Sequence, residues 1–156
     1  MAETQLTFVT FEPVHSGFVA YVPLSDFLKT HGHQEETLRR AARVYATGVA
    51  SLRTRLRKIE ERRRRGQRIT ARMVWDVGER IFTLVEQIGR LSLQINGLYA
   101  HLVRDLGVKK EWLEKVIIFR HHIPDKRSIP RGLSWGLCAR RPKSAAQLIL
   151  QGSLNS

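Results

Sequence analysis

Residues 38–65, LRRAARVYATGVASLRTRLRKIEERRRR, and residues 74–102, VWDVGERIFTLVEQIGRLSLQINGLYAHL, decide how this chain folds. In the first stretch Leu38, Ala42, Tyr45, Val49, Leu52, Leu56 and Ile59 recur at alternating spacings of four and three. In the second, Val74, Val77, Ile81, Leu84, Ile88, Leu91, Ile95, Leu98 and Leu102 do the same. An apolar residue every 3.5 positions lays one continuous seam along a helix. Two such helices joined by a short polar turn are expected to fold back on each other as a long antiparallel helical hairpin. Four consecutive arginines, Arg62 to Arg65, then stand at its tip.

Local chemistry sets the expected boundaries. The first helix is predicted over about 34–64, with Glu35 and Glu36 in its first turn and the arginines in its last, where the helix dipole favours each sign. Gly66 is the natural stop. Thr70 is the expected N-cap of the second helix, which runs to about Asp105 in one piece or with a break near Asn96-Gly97. Gly48, Gly78 and Gly89 sit inside helical patterns, where each costs about 1 kcal/mol relative to alanine, so close packing against a neighbour is expected there. Trp75 lies at helical spacing with Gly78 and Ile81 and is read as a core anchor.

Outward from the hairpin, Leu6–Phe11 and Phe18–Val22 are strand-like runs separated by Glu12-Pro13-Val14-His15-Ser16-Gly17, which has turn chemistry. They predict a short N-terminal β-hairpin or extended arm within residues 5–24, able to pack on the helices or on a protein partner. On the other side, Gly107 lies between Leu102 and Leu106 before it and Val108, Leu113 and Val116 after it. A helix-turn-helix needs a glycine at its tight turn and apolar residues at such offsets. Its second helix would begin near Lys109 and present Lys109, Lys110, Trp112 and Lys115. Pro124, Pro130 and Pro142 exclude one long helix through the basic, turn-rich residues 120–143. Arg120, Lys126, Arg127 and Arg131 there flank a turn suited to phosphate, while Leu133, Trp135 and Leu137 are expected to pack it onto the core. Ser144 is the expected N-cap of a last short helix closed at Gly152. The expected fold is therefore mainly α: residues 1–33 as arm or β-hairpin, 34–104 as helical hairpin, 105–156 as a helix-turn-helix-like basic region.

Charge gives the functional direction. The 156 residues hold 27 lysines and arginines against 14 acids, a net +13. Residues 37–68 carry 12 basic and 2 acidic side chains, and residues 100–143 carry 11 and 4. Residues 69–99 balance at 3 and 3, and residues 1–36 are acidic with 1 and 5. Two basic stretches beside a neutral helix favour a polyanionic partner.

The chemistry of an enzyme is missing from the sequence. It has no phosphate-binding loop, nucleophile elbow or zinc spacing. The pairs His31/His33 and His121/His122 lack cysteine or acidic neighbours at ligand spacing, so neither a metal nor another cofactor is expected. Asp76, Glu79 and Glu86 read as surface ion pairs of the second helix. The single cysteine, Cys138, reads as a buried thiol and points to a reducing, cytoplasmic setting. No apolar run is long enough for a membrane span.

From Trp75-x-x-Gly78-x-x-Ile81, through Leu106-Gly107 and Leu113 and a basic proline turn, to Leu133-Ser134-Trp135, residues 72–138 resemble the N-terminal helical region of the bacterial DUF1016 (YhcG-like) family. The resemblance implies a helical, winged-helix-like DNA-binding module. The family's Gly-x-Gly-Phe-Ser stretch is replaced here by Gly107-Val108-Lys109-Lys110, and the residues after Ser134-Trp135 are Gly136-Leu137. Its downstream nuclease domain has no counterpart in this sequence, so DNA binding or assembly is implied and nuclease activity is not.

The function expected from the sequence is nonenzymatic nucleic-acid binding, with double-stranded DNA the favoured target, in a bacterial or mobile-element protein. Arg53, Arg55, Arg57, Lys58, Arg62, Arg63, Arg64, Arg65 and Arg68 are the phosphate-contact candidates of the hairpin. Lys109, Lys110, Trp112, Lys115, Arg120, Lys126, Arg127 and Arg131 are those of the C-terminal region. The alternative is an RNA-binding subunit of a larger ribonucleoprotein or defence complex, docked through residues 5–24. A third reading is a coiled-coil adaptor whose seams pair between chains as a homo-oligomer.

Overall fold

A computed structural model describes residues 11–13 and 35–154. The chain is mainly helical. In order come a short strand β1 (Phe11–Pro13), helices α1 (Glu35–Arg64) and α2 (Ala71–Gly89), and a short strand β2 (Leu93–Ile95). Helices α3 (Leu98–Leu106) and α4 (Lys110–His122), a 3₁₀ turn (Lys126–Ser128), and helices α5 (Gly136–Ala139) and α6 (Pro142–Leu150) follow.

The helix ends have local causes. After α1, Gly66 takes a left-handed φ of 68°, Gly66 N–H donates to the Arg63 carbonyl at 3.1 Å, and Gln67 N–H donates to the Arg62 carbonyl at 2.9 Å. These two bonds are a Schellman motif, which satisfies carbonyls that the helix leaves open. Thr70 Oγ1 accepts from Met73 N–H at 3.3 Å, so the expected N-cap of α2 is present. The last helix differs from expectation. It starts at Pro142 with Arg141 at the N-cap position and not at Ser144. Proline fits the first helical turn, where its missing N–H costs nothing.

The second seam is broken, as the alternative of a break near Asn96-Gly97 allowed, but the break opens earlier than that pair. α2 ends at Gly89, Ser92 has a left-handed φ of 60°, and the chain turns into β2 before α3 begins at Leu98. Leu93 is buried there, while Leu91, Ile95 and Leu98 of the expected ladder are only half-buried. β1 pairs with β2 in antiparallel register, Phe11 opposite Ile95 and Pro13 opposite Leu93. Glu12 and Pro13, expected in a turn, thus lie in a strand whose partner is β2, and the other residues of the expected N-terminal β-hairpin lie outside the described residues.

The described chain forms two compact units from interleaved segments. The first takes β1, residues 35–50 and residues 82–107. Its core holds Leu38, Ala42, Tyr45 and Val49 of the first seam with Leu84, Ile88, Leu93 and Leu102. A Cβ on Gly48 would come within 2.9 Å of Leu84 Cδ1, which confirms close packing there. Gly89, by contrast, has nothing among the described residues within 4 Å of such a Cβ. Asp105 is buried in this unit. It accepts hydrogen bonds from the Tyr45 hydroxyl and, at 2.9 and 3.3 Å, from the Arg104 guanidinium.

The second unit takes residues 51–81 and 108–154. Leu52, Ile59, Val74, Val77 and Ile81 continue the seams, and Leu113, Val116 and Phe119 bury one face of α4. α6 packs against both α4 and α5. Phe119 meets Trp135 edge-on, with ring centroids 5.2 Å apart. Trp75 is the core anchor expected of it: it is buried and its Nε1–H donates to the Ile123 carbonyl at 2.8 Å. Leu133 and Trp135 are buried as expected, but Leu137 is 61% exposed. Cys138 is buried, and burial pushes its thiol up to about 11, which fits a packing role.

Two glycines make a paired prediction. A Cβ on Gly78 would lie 2.6 Å from Arg120 Cβ and 3.2 Å from the Val116 carbonyl oxygen. Neither is the loose end of a side chain. Gly78→Ala is expected to lose about 1–2 kcal/mol, because overpacking outweighs the gain of about 1 kcal/mol in helix propensity. At Gly48 the obstacle is a leucine methyl that can turn away, so Gly48→Ala is expected within about 0.5 kcal/mol of neutral. Urea unfolding of the two variants checks this; equal losses would show that α4 does not approach α2 so closely.

Candidate nucleic-acid interface

All seventeen basic or aromatic candidates from the sequence fall in the second unit, between residues 53 and 68 or between 109 and 131. That unit holds 21 lysines and arginines against seven acids, hence +14. The remainder of the chain holds six against seven, hence −1. The whole positive excess of the protein is therefore confined to one unit.

Along α1, Arg53, Arg57 and Lys58 are exposed, and Arg55 is half-buried with its guanidinium on the Ser51 hydroxyl and carbonyl. Burial, and then the charge of Arg55, lower the pKa of Arg80 from its ordinary value, so cations crowd here. Of the four consecutive arginines, three face acids on their own helix. Arg63 and Arg64 reach Glu60 at 3.1 and 3.7 Å, and Arg65 reaches Glu61 at 2.6 Å. Arg62 differs: its Nε–H crosses the turn and donates to the Arg68 carbonyl at 2.9 Å. Arg68 in turn donates to the Gly132 carbonyl at 3.1 Å.

These bonds belong to a wider seam between two loops. Ala71 N–H donates to the Leu133 carbonyl at 2.8 Å, and Trp135 N–H donates to the Ile69 carbonyl at 2.9 Å, around an isolated bridge between Thr70 and Ser134. Arg72 Nε–H donates to the Ile129 carbonyl at 2.7 Å. The arginine turn and the loop carrying exposed Arg131 are thus brought together although more than sixty residues separate them in sequence. Arg72 was not among the sequence candidates; it is one of three arginines that hold this seam. Arg140, Arg141 and Lys143, which the sequence did not single out, are exposed in the same unit.

The other C-terminal candidates divide. Lys109 and Lys110 at the start of α4 are exposed, and Lys110 lies 3.8 Å from Glu114. Trp112 and Lys115 are half-buried. Arg120 is largely buried: it pairs with Glu79 and lies 5.0 Å from the Trp75 ring centroid. Lys126 pairs with Asp76 at 3.0 Å. Arg127 pairs with Asp125 at 2.9 Å and holds that carboxyl below the usual aspartate range. Glu86 does form the surface pair expected on α2, with Arg90 at 2.8 Å, but Asp76 and Glu79 reach much later segments instead. Exposed pairs contribute only about 0–1 kcal/mol each and yield readily to a polyanion. The Arg120 pair, with its stacked ring, belongs to the core.

His121 and His122 meet edge-on at 5.1 Å. Among the described residues, no group of three histidine, cysteine or acidic side chains is placed to hold a metal ion. Among them too, no helix is long and apolar enough to cross a membrane. No family model, curated protein or solved structure matches the chain.

Proposed function

We propose that this chain is a nonenzymatic nucleic-acid-binding protein that grips double-stranded DNA through its basic unit. The observation that carries this is the confinement of charge: +14 on one unit against −1 on the rest. Charge that served solubility alone would have no reason to gather on one unit, whereas a polyanion needs it gathered. Exposed Arg53, Arg57, Lys58, Arg68, Lys109, Lys110 and Arg131 supply phosphate contacts, with the tip arginines able to leave their glutamates.

The finer arrangement belongs to the same proposal. α1 and α2 form an antiparallel hairpin; the burial of both seams and the six-residue connection 65–70 support it. α3, a glycine turn and α4 follow one another in the order of a helix-turn-helix. In its support, Gly107 caps α3 in the left-handed conformation at φ 66°, with its N–H on the Val103 carbonyl at 3.0 Å, and α4 begins three residues later. Lys109, Lys110 and Lys115 then lead a helix into the major groove. The resemblance of residues 72–138 to the DUF1016 N-terminal region points the same way.

Fluorescence anisotropy with labelled duplex DNA, single-stranded DNA and structured RNA, across a salt series, tests this. Duplex is expected to bind most tightly, with affinity falling steeply as salt rises. The Arg62–Arg65 alanine variant and the Lys109/Lys110/Lys115 alanine variant are each expected to flatten the logarithmic salt dependence by about 0.9 per phosphate contact removed. No duplex binding at low salt would refute the proposal. Tighter binding of RNA would transfer it to a ribonucleoprotein subunit.

A further inference from the structure

We infer that Arg62, Arg68 and Arg131 form one preassembled phosphate clamp on the nucleic-acid strand, and that the paired tip arginines Arg63, Arg64 and Arg65 contribute little beyond charge. This deepens the DNA-binding proposal and rests on it. The geometry is a relay. Arg62 holds the Arg68 carbonyl, and Arg68 holds the Gly132 carbonyl, next in chain to Arg131. Backbone bonds from Ala71 to Leu133 and from Trp135 to Ile69 fix the same two loops on their inner side.

Three physical points favour these residues as ligands. A guanidinium carries five N–H donors in a fixed fork. The bonds just described use one donor of Arg62 and one of Arg68, and the Arg68 side chain is exposed, open to a further ligand. Among the described residues, no acidic side chain lies within 4 Å of Arg62, Arg68 or Arg131, whereas Arg63, Arg64 and Arg65 each have a glutamate to leave before they can bind. Finally, a guanidinium already held by a carbonyl loses less rotamer freedom when it takes a phosphate. Phosphate oxygens fit such a fork in bidentate fashion, which an ammonium group cannot imitate.

Lysine substitution separates clamp from charge. Arg68→Lys keeps the charge and loses the fork; it is expected to weaken binding to a labelled DNA duplex about five- to tenfold with the salt dependence unchanged. Arg64→Lys is expected to change affinity less than about twofold. Arg131→Ala removes an exposed side chain that holds nothing among the described residues, so it serves as the variant least able to disturb folding. It is expected to flatten the salt dependence by about 0.9, and its loss combined with Arg68→Lys should be smaller than the product of the two. Equal losses for Arg68→Lys and Arg64→Lys, or independent effects of Arg68 and Arg131, would overturn the clamp while leaving DNA binding intact. Failure of the unmodified chain to bind duplex at low salt would overturn both.

Discussion

Phe119→Ala is expected to cost about 3–5 kcal/mol, enough to unfold much of the basic unit. Phe119 is fully buried on α4, with Trp135 edge-on against it. Its loss removes the transfer energy of a large ring and leaves a cavity that the rigid partners, Trp135 among them, fill poorly. Small domains have only about 5–15 kcal/mol of stability in all. The change can be followed selectively, because all three tryptophans, Trp75, Trp112 and Trp135, lie in this unit. Urea unfolding read by tryptophan fluorescence should show the midpoint falling sharply, and duplex affinity should fail over the same range. A loss below about 1 kcal/mol would show that the Phe119 ring is not in the core.

Asp105→Ala should be the costliest polar substitution, about 2–3 kcal/mol at neutral pH. It removes the carboxylate that accepts from the buried Tyr45 hydroxyl, and a hydrogen bond to a charged group contributes about 1.5–3 kcal/mol. Arg104 adds less, because its side chain is 47% exposed and can turn to water. Burial alone would raise the Asp105 pKa. Hydrogen bonds from Arg104 and Tyr45, then the charges of Arg104 and His101, more than offset it and hold the carboxyl below its ordinary value. The folded state therefore favours the carboxylate, and its contribution is full above the ordinary aspartate value of about 3.9. It is lost as pH falls through the lower folded value. His101 acts in the same direction. Burial, then Arg104, lower its pKa, against smaller opposing effects of Asp105 and the Asn96 backbone. It stays neutral in the folded chain while the unfolded chain takes up a proton near pH 6.5, so stability falls as pH drops from about 6.5 toward the depressed folded value. Urea midpoints by circular dichroism should decline in two stages on acidification. His101→Gln should remove the first stage, and Asp105→Ala should remove the second. A midpoint for Asp105→Ala equal to that of the unmodified chain at pH 7 would show that the Tyr45 bond contributes nothing.

What the sequence disclosed is what local rules control. The first seam reads directly as burial, with six of its seven residues in the core and only Leu56 half-exposed. Gly66 and Thr70 end and begin helices as their chemistry requires. The second seam misled because Leu91, Ile95 and Leu98 keep heptad spacing through a turn and a strand. Periodicity is blind to a break that preserves the count, and Gly89 with Ser92 was the better signal. The partnership of Tyr45 with Asp105, sixty positions apart, left only the hint that a tyrosine in an apolar seam needs an acceptor. Four adjacent arginines look equivalent in sequence. Arg62 differs from the others because it reaches a turn carbonyl whose position depends on the fold.

The interleaving of the two units has a consequence for synthesis. The chain enters the basic unit at Ser51, leaves it at Ile81 and returns only at Val108. A ribosome working from the N-terminus therefore releases residues 51–81, with their eleven basic and four acidic side chains, well before Arg120 or Ile123 exists to meet Trp75. The other unit can close once Gly107 has emerged. The basic unit must wait for nearly the last residue of α6, and in that interval its bare arginines lie beside the ribosome's own polyanion.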